Sequence, residues 1–295
     1  MTRSLAIIGA GRVGRALGRS LREAGWKIVI VAARTEGGAK KAARFVGGGR
    51  AIAGLPATLT GAGAILLTVP DDAIAPVAAE LARKVGSELS GKVALHTSGA
   101  LTESVLEPLR VCGAAIGSMH PMQTFNGVSV PPLAGKVFAI GGDELAARMA
   151  RRIARALGGV PVAIPTEKKA LYHVAGSFGA GLVLALEESG AQLLMKAGLK
   201  HREAQRALLS LTRQVLEHYE KLGPQKAWTG PLARGDYGVV AAHEKALREF
   251  APELLAAYQA VSRLAARALS HDPEAMLLDL DKISVQLQAA KAKGD

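Results

Sequence analysis

At 295 residues the chain is long enough for two domains with separate cores. It is 49% hydrophobic but only 4% aromatic, with 34 glycines, a balance that favours closely packed helices over aromatic cores. One cysteine, Cys112, excludes a disulfide framework within the chain, and no Cys/His cluster has zinc spacing, so a cytoplasmic protein without a metal is expected.

The net charge of +12 has two readings, a nucleic-acid surface or solvated helix faces beside a phosphate site. The basic residues are spread along segments such as Arg148–Arg155 and Lys200–Arg206, with only a short basic end at Lys291–Lys293. No recognition helix and no aromatic–basic interleaving accompanies them, so no nucleic-acid partner is expected. The apolar stretch Val174–Leu186 is short for a membrane span and meets Glu187 and Glu188, so no membrane partner is expected either.

In chain order, Leu5–Ile8 is an apolar strand that enters Gly9-Ala10-Gly11-Arg12-Val13-Gly14 at once. That start reads against a signal peptide. A helix over Arg15–Glu23 follows, with Leu17 and Leu21 on one face. A G-x-G-x-x-G between strand and helix is a dinucleotide fingerprint. Gly9 makes the turn, Gly11 lets a pyrophosphate approach the backbone, and Gly14 lets helix and strand pack closely. The helix N-terminus adds free N–H groups and a positive dipole end.

The second strand, Trp26–Ala33, predicts which dinucleotide binds. An NAD site usually ends this strand in a carboxylate for the ribose hydroxyls. Here Arg34-Thr35 occupies the place, with Lys40, Lys41 and Arg44 beyond. A guanidinium pairs with a 2′-phosphate that a carboxylate would repel, so NADP(H) is the expected cofactor. The competing assignment leaves Arg34 in solvent and gives the ribose to Glu36.

Strands are predicted at Ala64–Val69, Lys92–His96, Ala114–Met119, Lys136–Ile140 and Val160–Ile164, with helices at Ile74–Val85 and Glu144–Leu157. Alternation of this kind predicts an α/β fold with a mostly parallel sheet. Ligands on such sheets sit outside the carboxyl ends of the strands. Val69-Pro70-Asp71, His96-Thr97-Ser98-Gly99 and His120-Pro121 all fall there. From Thr166 onward the periodicity is helical, over 167–197, 202–222, 238–249, 252–270 and 273–291, with stops at Gly198 and Gly223. The expected domains are therefore a dinucleotide-binding domain over 1–165 and an all-helical domain over 166–295.

With those residues assembled, the chain resembles the two-domain Rossmann-like plus DUF2520 proteins, described as NADP-dependent oxidoreductases. The resemblance rests on Ile7–Gly14, Val69–Asp72, His96–Gly99, Ser118–Phe125, Leu171-Tyr172-His173 and Thr229–Asp236. It covers most of the chain and thins after about Arg267. The layout is similar to pyrroline-5-carboxylate reductase, ketopantoate reductase and the β-hydroxyacid dehydrogenases, in the 6-phosphogluconate dehydrogenase C-terminal-like superfamily. It implies a helical domain that closes over the nicotinamide and builds a homodimer. The His-Pro-Met run is also similar to prephenate dehydrogenase. One departure stands out: Gly181 occupies the position where the family usually carries an asparagine that helps orient substrate, and Ser177, one turn earlier, is the candidate substitute.

Reduction of C=O or C=N by NADPH needs orientation and a proton donor from the protein. Lys169 and His173 are spaced i, i+4 and share a helix face, with Ser177 one turn on. By resemblance to dehydrogenases with a lysine on this helix, Lys169 is the favoured acid, with His120 and His173 as further catalytic candidates. The competing reading makes Lys169 an exposed surface lysine beside Lys168. His96, Thr97, Ser98, Ser177, Thr229, Arg234 and Asp236 are candidate substrate contacts. Gly9, Ala10, Gly11, Arg12, Val13, Gly14, Arg34, Thr35, Val69, Pro70 and Asp71 are candidate cofactor contacts. The expected function is NADP(H)-dependent hydride transfer to or from a small, anionic carbonyl, imine or hydroxy acid. A non-catalytic NADP-binding regulator and a prephenate-dehydrogenase-like enzyme are the alternatives.

Overall fold

The computed structural model describes residues 2–292, so Lys293 of the basic end lies outside the described residues. The chain divides into two compact units, the first running to Ala180 and the second from Gly181. The first begins with β1 (Ser4–Ile8), α1 (Arg12–Glu23), β2 (Lys27–Ala33), α2 (Glu36–Val46), β3 (Arg50–Ala53), β4 (Ala64–Leu67) and α3 (Asp71–Val85). It continues with β5 (Val93–His96), α4 (Glu107–Val111), β6 (Ala115–Pro121), β7 (Val137–Gly142), α5 (Glu144–Ala156), β8 (Val160–Ala163) and α6 (Lys169–Ser177).

The eight strands form one sheet in the order β3-β2-β1-β4-β5-β6-β7-β8. All neighbours are parallel except β6 and β7. The exception follows from the chain between them. Residues 122–136 contain no crossover helix, and a parallel return requires one. The fold class is therefore the expected α/β arrangement with a mostly parallel sheet, one antiparallel pair included.

β1 is buried along its whole length because both faces of the sheet are covered. Side chains alternate between the faces. Leu5 and Ile7 join Leu17 and Leu21 of α1 and Met149 and Ile153 of α5 on one side. Ala6 and Ile8 join Ile74, Ala78 and Leu81 of α3 on the other. Each large aliphatic side chain so buried stabilises the fold by roughly 1.5–3 kcal/mol.

Two features differ from the sequence reading. β3 is a four-residue edge strand with a half-exposed pattern, too short and polar to signal itself. β6 runs on through His120 and Pro121, which pair with Ala139 and Phe138 of β7, so the expected turn at His120-Pro121 is strand instead. Its antiparallel partner extends β6 beyond β5, whose last residue His96 pairs with Ser118. His120 is thereby carried two residues past the end of β5.

The second unit contains α7 (Val183–Lys196), α8 (His201–Leu222), α9 (Pro224–Ala227), α10 (Tyr237–Phe250), α11 (Pro252–Leu269) and α12 (Pro273–Ala292). No strand is found there among the described residues. Val240, Ala266, Met276, Leu280 and Ile283 form its core between α10, α11 and α12. A π-helical turn at Phe178–Leu182 separates α6 from α7. The helical run Thr166–Lys196 is long and apolar enough by length and composition to cross a membrane, with none of its most apolar window buried. The sequence estimate based on Val174–Leu186 understated that length.

Candidate functional site

The strand order reverses beside β1, where β2 and β4 flank it, and a crevice at such a point is the usual ligand position. A groove of about 710 Å³ opens there. Gly9, Ala10 and Gly11 line it from the β1 turn, Ala33, Arg34, Thr35 and Gly38 from the end of β2, and Thr68, Val69 and Pro70 from the end of β4.

The three glycines have different physical reasons. Gly9 has φ +91°, a left-handed backbone closed to most side chains. A Cβ on Gly14 would overlap the Thr68 hydroxyl and stand 2.8 Å from the Gly9 carbonyl, so helix and strand close only without one. A Cβ on Gly11 would meet nothing nearer than 4.0 Å, so this backbone borders open space. Thr68 ties the loop down: its hydroxyl donates to the Gly9 carbonyl at 2.6 Å. Sequence reasoning missed Thr68, and a threonine ending an apolar strand carries no signal of that bond.

Arg34 is exposed at the groove and makes no ion pair among the described residues. Glu36, its competitor for the ribose, is engaged by Lys40 at 2.6 Å. Thr35 caps α2, accepting from the Gly38 N–H at 3.2 Å. Arg12 is exposed at the first position of α1 and Val13 is half-buried behind it. The groove fits a phosphorylated dinucleotide: open glycine backbone at one part, an unpaired guanidinium at another, and no carboxylate in its lining. Asp71, expected beside the cofactor, turns its carboxylate to the Ser98 hydroxyl at 2.7 Å instead.

The turn after β5 is the second focus. His96 is 0% exposed. Its Nδ1 accepts from the Ser98 N–H at 3.2 Å, and its Nε2 lies 3.1 Å from the Thr102 carbonyl. Those partners require the Nε2–H tautomer. Burial first, and the Lys169 ammonium second, lower its pKa to about 3, so the ring is neutral. His96 is thus committed to the main chain and shapes the turn, where the sequence had suggested a substrate contact. Ser98 is equally committed: its hydroxyl donates to Asp71 and accepts from the N–H groups of Ala100 and Leu101. Thr97 is half-buried between them.

Lys169 fills the space beneath this turn. It is 2% exposed, whereas Lys168 is in solvent, so the surface-lysine reading fails. Its ammonium donates to the Leu101 carbonyl and, at 3.5 Å, to the Ser98 carbonyl. Burial lowers its pKa to about 8 against the opposing pull of Glu103 and Asp71. An amine that titrates so near neutrality can both hold and release a proton.

His120, Tyr172 and His173 gather over the same turn. His120 Nδ1 is 3.0 Å from the Tyr172 hydroxyl, which also reaches the His120 carbonyl at 3.5 Å. The His120 ring meets Tyr172 and His173 edge-on, with centroids 5.6 and 5.8 Å away. Gly99 leaves room for them: a Cβ there would stand 2.6 Å from His173 and 2.9 Å from His120 Nε2. Burial raises the Tyr172 pKa to about 12, so the phenol stays protonated and donates to Nδ1. That leaves His120 Nε2–H turned toward Gly99. Burial, then His173 and Lys169, lower the His120 pKa to about 4, so it acts as a neutral imidazole. Sequence reasoning gave Tyr172 no role, although its i, i+3 spacing from Lys169 puts it on the same helix face.

Ser177 is exposed and its hydroxyl donates back to the His173 carbonyl at 3.3 Å, so it extends the helix stripe without joining the cluster. Thr229, Arg234 and Asp236 lie in the second unit. Asp236 holds Arg234 in a forked pair at 2.7 and 2.9 Å and makes no side-chain cap to α10. No group of three metal-binding side chains occurs among the described residues.

No curated protein matches the chain. Among solved structures, a Bacteroides fragilis protein assigned as an NADP oxidoreductase is 25% identical over 88% of this chain and 96% of its own, with TM-score 0.72. A Thermotoga maritima protein is 25% identical over the same shares, with TM-score 0.69. The reductive aminase of Aspergillus terreus, solved with NADPH and ethyl-5-oxohexanoate, is 18% identical over 90% of this chain and 94% of its own, with TM-score 0.67, a likeness of fold. The Rossmann-like family model matches residues 2–121, and the model of the domain of unknown function DUF2520 matches 136–265, beginning at the antiparallel end of the sheet. Glycine loop, sheet order and helical region together identify the chain as a two-domain Rossmann-like plus DUF2520 protein.

Proposed function

We propose that the chain is a cytoplasmic NADP(H)-dependent oxidoreductase that transfers hydride to a C=O or C=N bond of a small, anionic substrate. The observation that carries this reading is the buried Lys169 beneath the Ser98–Gly99 turn, with His120, Tyr172 and His173 above it. These groups lie on the same sheet edge as the groove that Arg34 borders. The assigned activity of the B. fragilis protein at 25% identity supports the cofactor class, as does the NADPH bound to the A. terreus enzyme of similar fold. The net charge of +12 supports an anionic substrate.

When bound, NADPH supplies the hydride. Gly9 and Gly11 bring their backbone to the pyrophosphate, and Arg34 pairs with the 2′-phosphate. Two N–H groups of the Lys169 ammonium are held by carbonyls, and the third is the proton source for the developing oxyanion or amine. His120, fixed through Nδ1 by Tyr172, presents Nε2–H to orient the substrate oxygen or nitrogen.

Purified protein titrated with NADPH and NADH, then assayed for NADPH consumption with keto acids and cyclic imines, tests this. Preferential NADPH binding with turnover is expected. Equal affinity for the two cofactors would overturn the 2′-phosphate assignment. One observation favours the regulator alternative: Gly181 offers no side chain at the position where the family usually carries an asparagine. Tight NADPH binding without turnover on any substrate would decide for it.

The helical region is proposed to bury its apolar surface in a homodimer. Leu171 on α6 is 68% exposed and Leu184 on α7 is 70% exposed, and Leu211 and Leu216 on α8 are similarly bare. Large exposed apolar patches on a protein mark interaction sites. Arg202, Arg206 and Arg213 lie on the same helix as Leu211 and Leu216, and a helix of such mixed character suits a protein partner better than lipid. Sedimentation equilibrium should give twice the monomer mass; a monomer that associates with liposomes would refute the dimer.

A further inference from the structure

A second basic site lies at the opposite edge of the sheet from the glycine loop. A groove of about 540 Å³ is lined by Arg3, Ala24, Trp26, Arg148, Arg151, Arg152, Arg155 and Ala156. Its arginines come from separate parts of the chain. Arg3 directly precedes β1, and the other four lie on α5. Their spacing of three, one and three residues puts all four on one helix face. The opposite face, with Ala146, Met149, Ala150 and Ile153, is buried in the core. Trp26, immediately before β2, underlies them, with the Arg152 guanidinium 5.5 Å from its ring centre.

Charge of one sign is concentrated here. No carboxylate lines the groove. Arg148 is paired with Glu144 one turn earlier on α5. Arg3, Arg151 and Arg155 have no acidic partner among the described residues. Like charges three and four residues apart disfavour a helix, so a surface of this kind gains from a bound counter-charge. A single carboxylate would answer one guanidinium. Several converging forks match an anion with several charged oxygens, and guanidinium binds phosphoryl oxygens in bidentate fashion.

We infer that this groove binds a small polyphosphate, an anion carrying two or more linked phosphoryl groups, at a site separate from the dinucleotide groove. β1 has five residues, so the two sites lie about 17 Å apart along the strand, at about 3.3 Å per residue. That distance allows both to be filled together. The inference does not depend on the proposed oxidoreductase activity. A concave site of this size suits a compact anion better than a duplex, which needs an extended surface.

The test is calorimetric titration of the full chain with sodium tripolyphosphate, and in parallel with magnesium-free ATP. Wild-type protein should bind tripolyphosphate, more weakly as salt rises from about 50 to about 200 mM. The double variant Arg151→Gln, Arg155→Gln should bind at least about tenfold more weakly. Arg34→Ala should keep this binding within about twofold, because that arginine belongs to the other groove. Should the double variant not fold, judged by its circular dichroism, Arg3→Gln is the substitute, since Arg3 lies outside every helix and strand. ATP bound as tightly as tripolyphosphate identifies the phosphoryl chain alone as the ligand; ATP bound more tightly, with that binding weakened in the α5 double variant, identifies a nucleoside polyphosphate. The inference is overturned by no binding at millimolar tripolyphosphate, or by binding that falls with Arg34→Ala and not with the α5 variants. Duplex DNA that binds through these arginines while tripolyphosphate does not would also overturn it.

Discussion

Replacement of Lys169 by Met is expected to lower kcat by about 10²- to 10⁴-fold, the usual contribution of a positioned proton donor. NADPH affinity should stay within about threefold, because Lys169 lies under the β5 turn and outside the groove lining. The pH profile separates a proton donor from a structural lysine. With its pKa lowered to about 8, the ammonium is the main form below that pH and the amine above it. The wild-type reduction rate should therefore fall as pH rises through about 8, and the residual rate of the Met variant should not.

Stability gives an independent readout with the opposite sign. The folded-state pKa of about 8 is below the ordinary 10.5, so the folded chain binds fewer protons than the unfolded chain between those values. Lys169 thus makes the fold more stable as pH rises through that window, and its burial as a cation is a cost at neutral pH. Methionine removes that cost but leaves the Ser98 and Leu101 carbonyls unpaired, at about 1–3 kcal/mol each. The two effects oppose, so Tm should move little while kcat collapses. A Met variant that keeps more than about a tenth of wild-type kcat would remove Lys169 from the mechanism.

Arg34→Asp should weaken NADPH binding by about 10²- to 10³-fold. The change removes a charge-assisted fork worth about 1.5–3 kcal/mol and adds repulsion from the new carboxylate. NADH has no 2′-phosphate, so its affinity should change by less than about threefold or improve, since a carboxylate there can accept from the ribose hydroxyls. Paired fluorescence titrations of both cofactors against wild type and variant measure this. Equal losses for the two would show that Arg34 acts on the groove as a whole and does not read the phosphate.

Much of this molecule is legible in the sequence because it is local. Gly9, Gly11 and Gly14 each answer a constraint within one strand, turn and helix, so spacing alone identifies them. The alternating strands and helices of the first unit and the helical periods of the second are local for the same reason. The place of Arg34 was also readable, since it needs only to follow β2 to stand at the groove.

Tertiary structure decided the rest. His96, Ser98 and Asp71 look like site residues along the chain, yet folding commits them to one another and to the turn backbone. β6 outlasts β5 because a distant strand, β7, pairs with it in the antiparallel sense, and this carries His120 over Gly99. Lys169 reads on a helical wheel as one of two adjacent lysines. It becomes a buried amine near neutrality because carbonyls from residues about 70 positions earlier close over it. A pKa depends on the solvent and charge around a group, and for Lys169 those surroundings come from a turn that is distant in sequence and adjacent only in the fold.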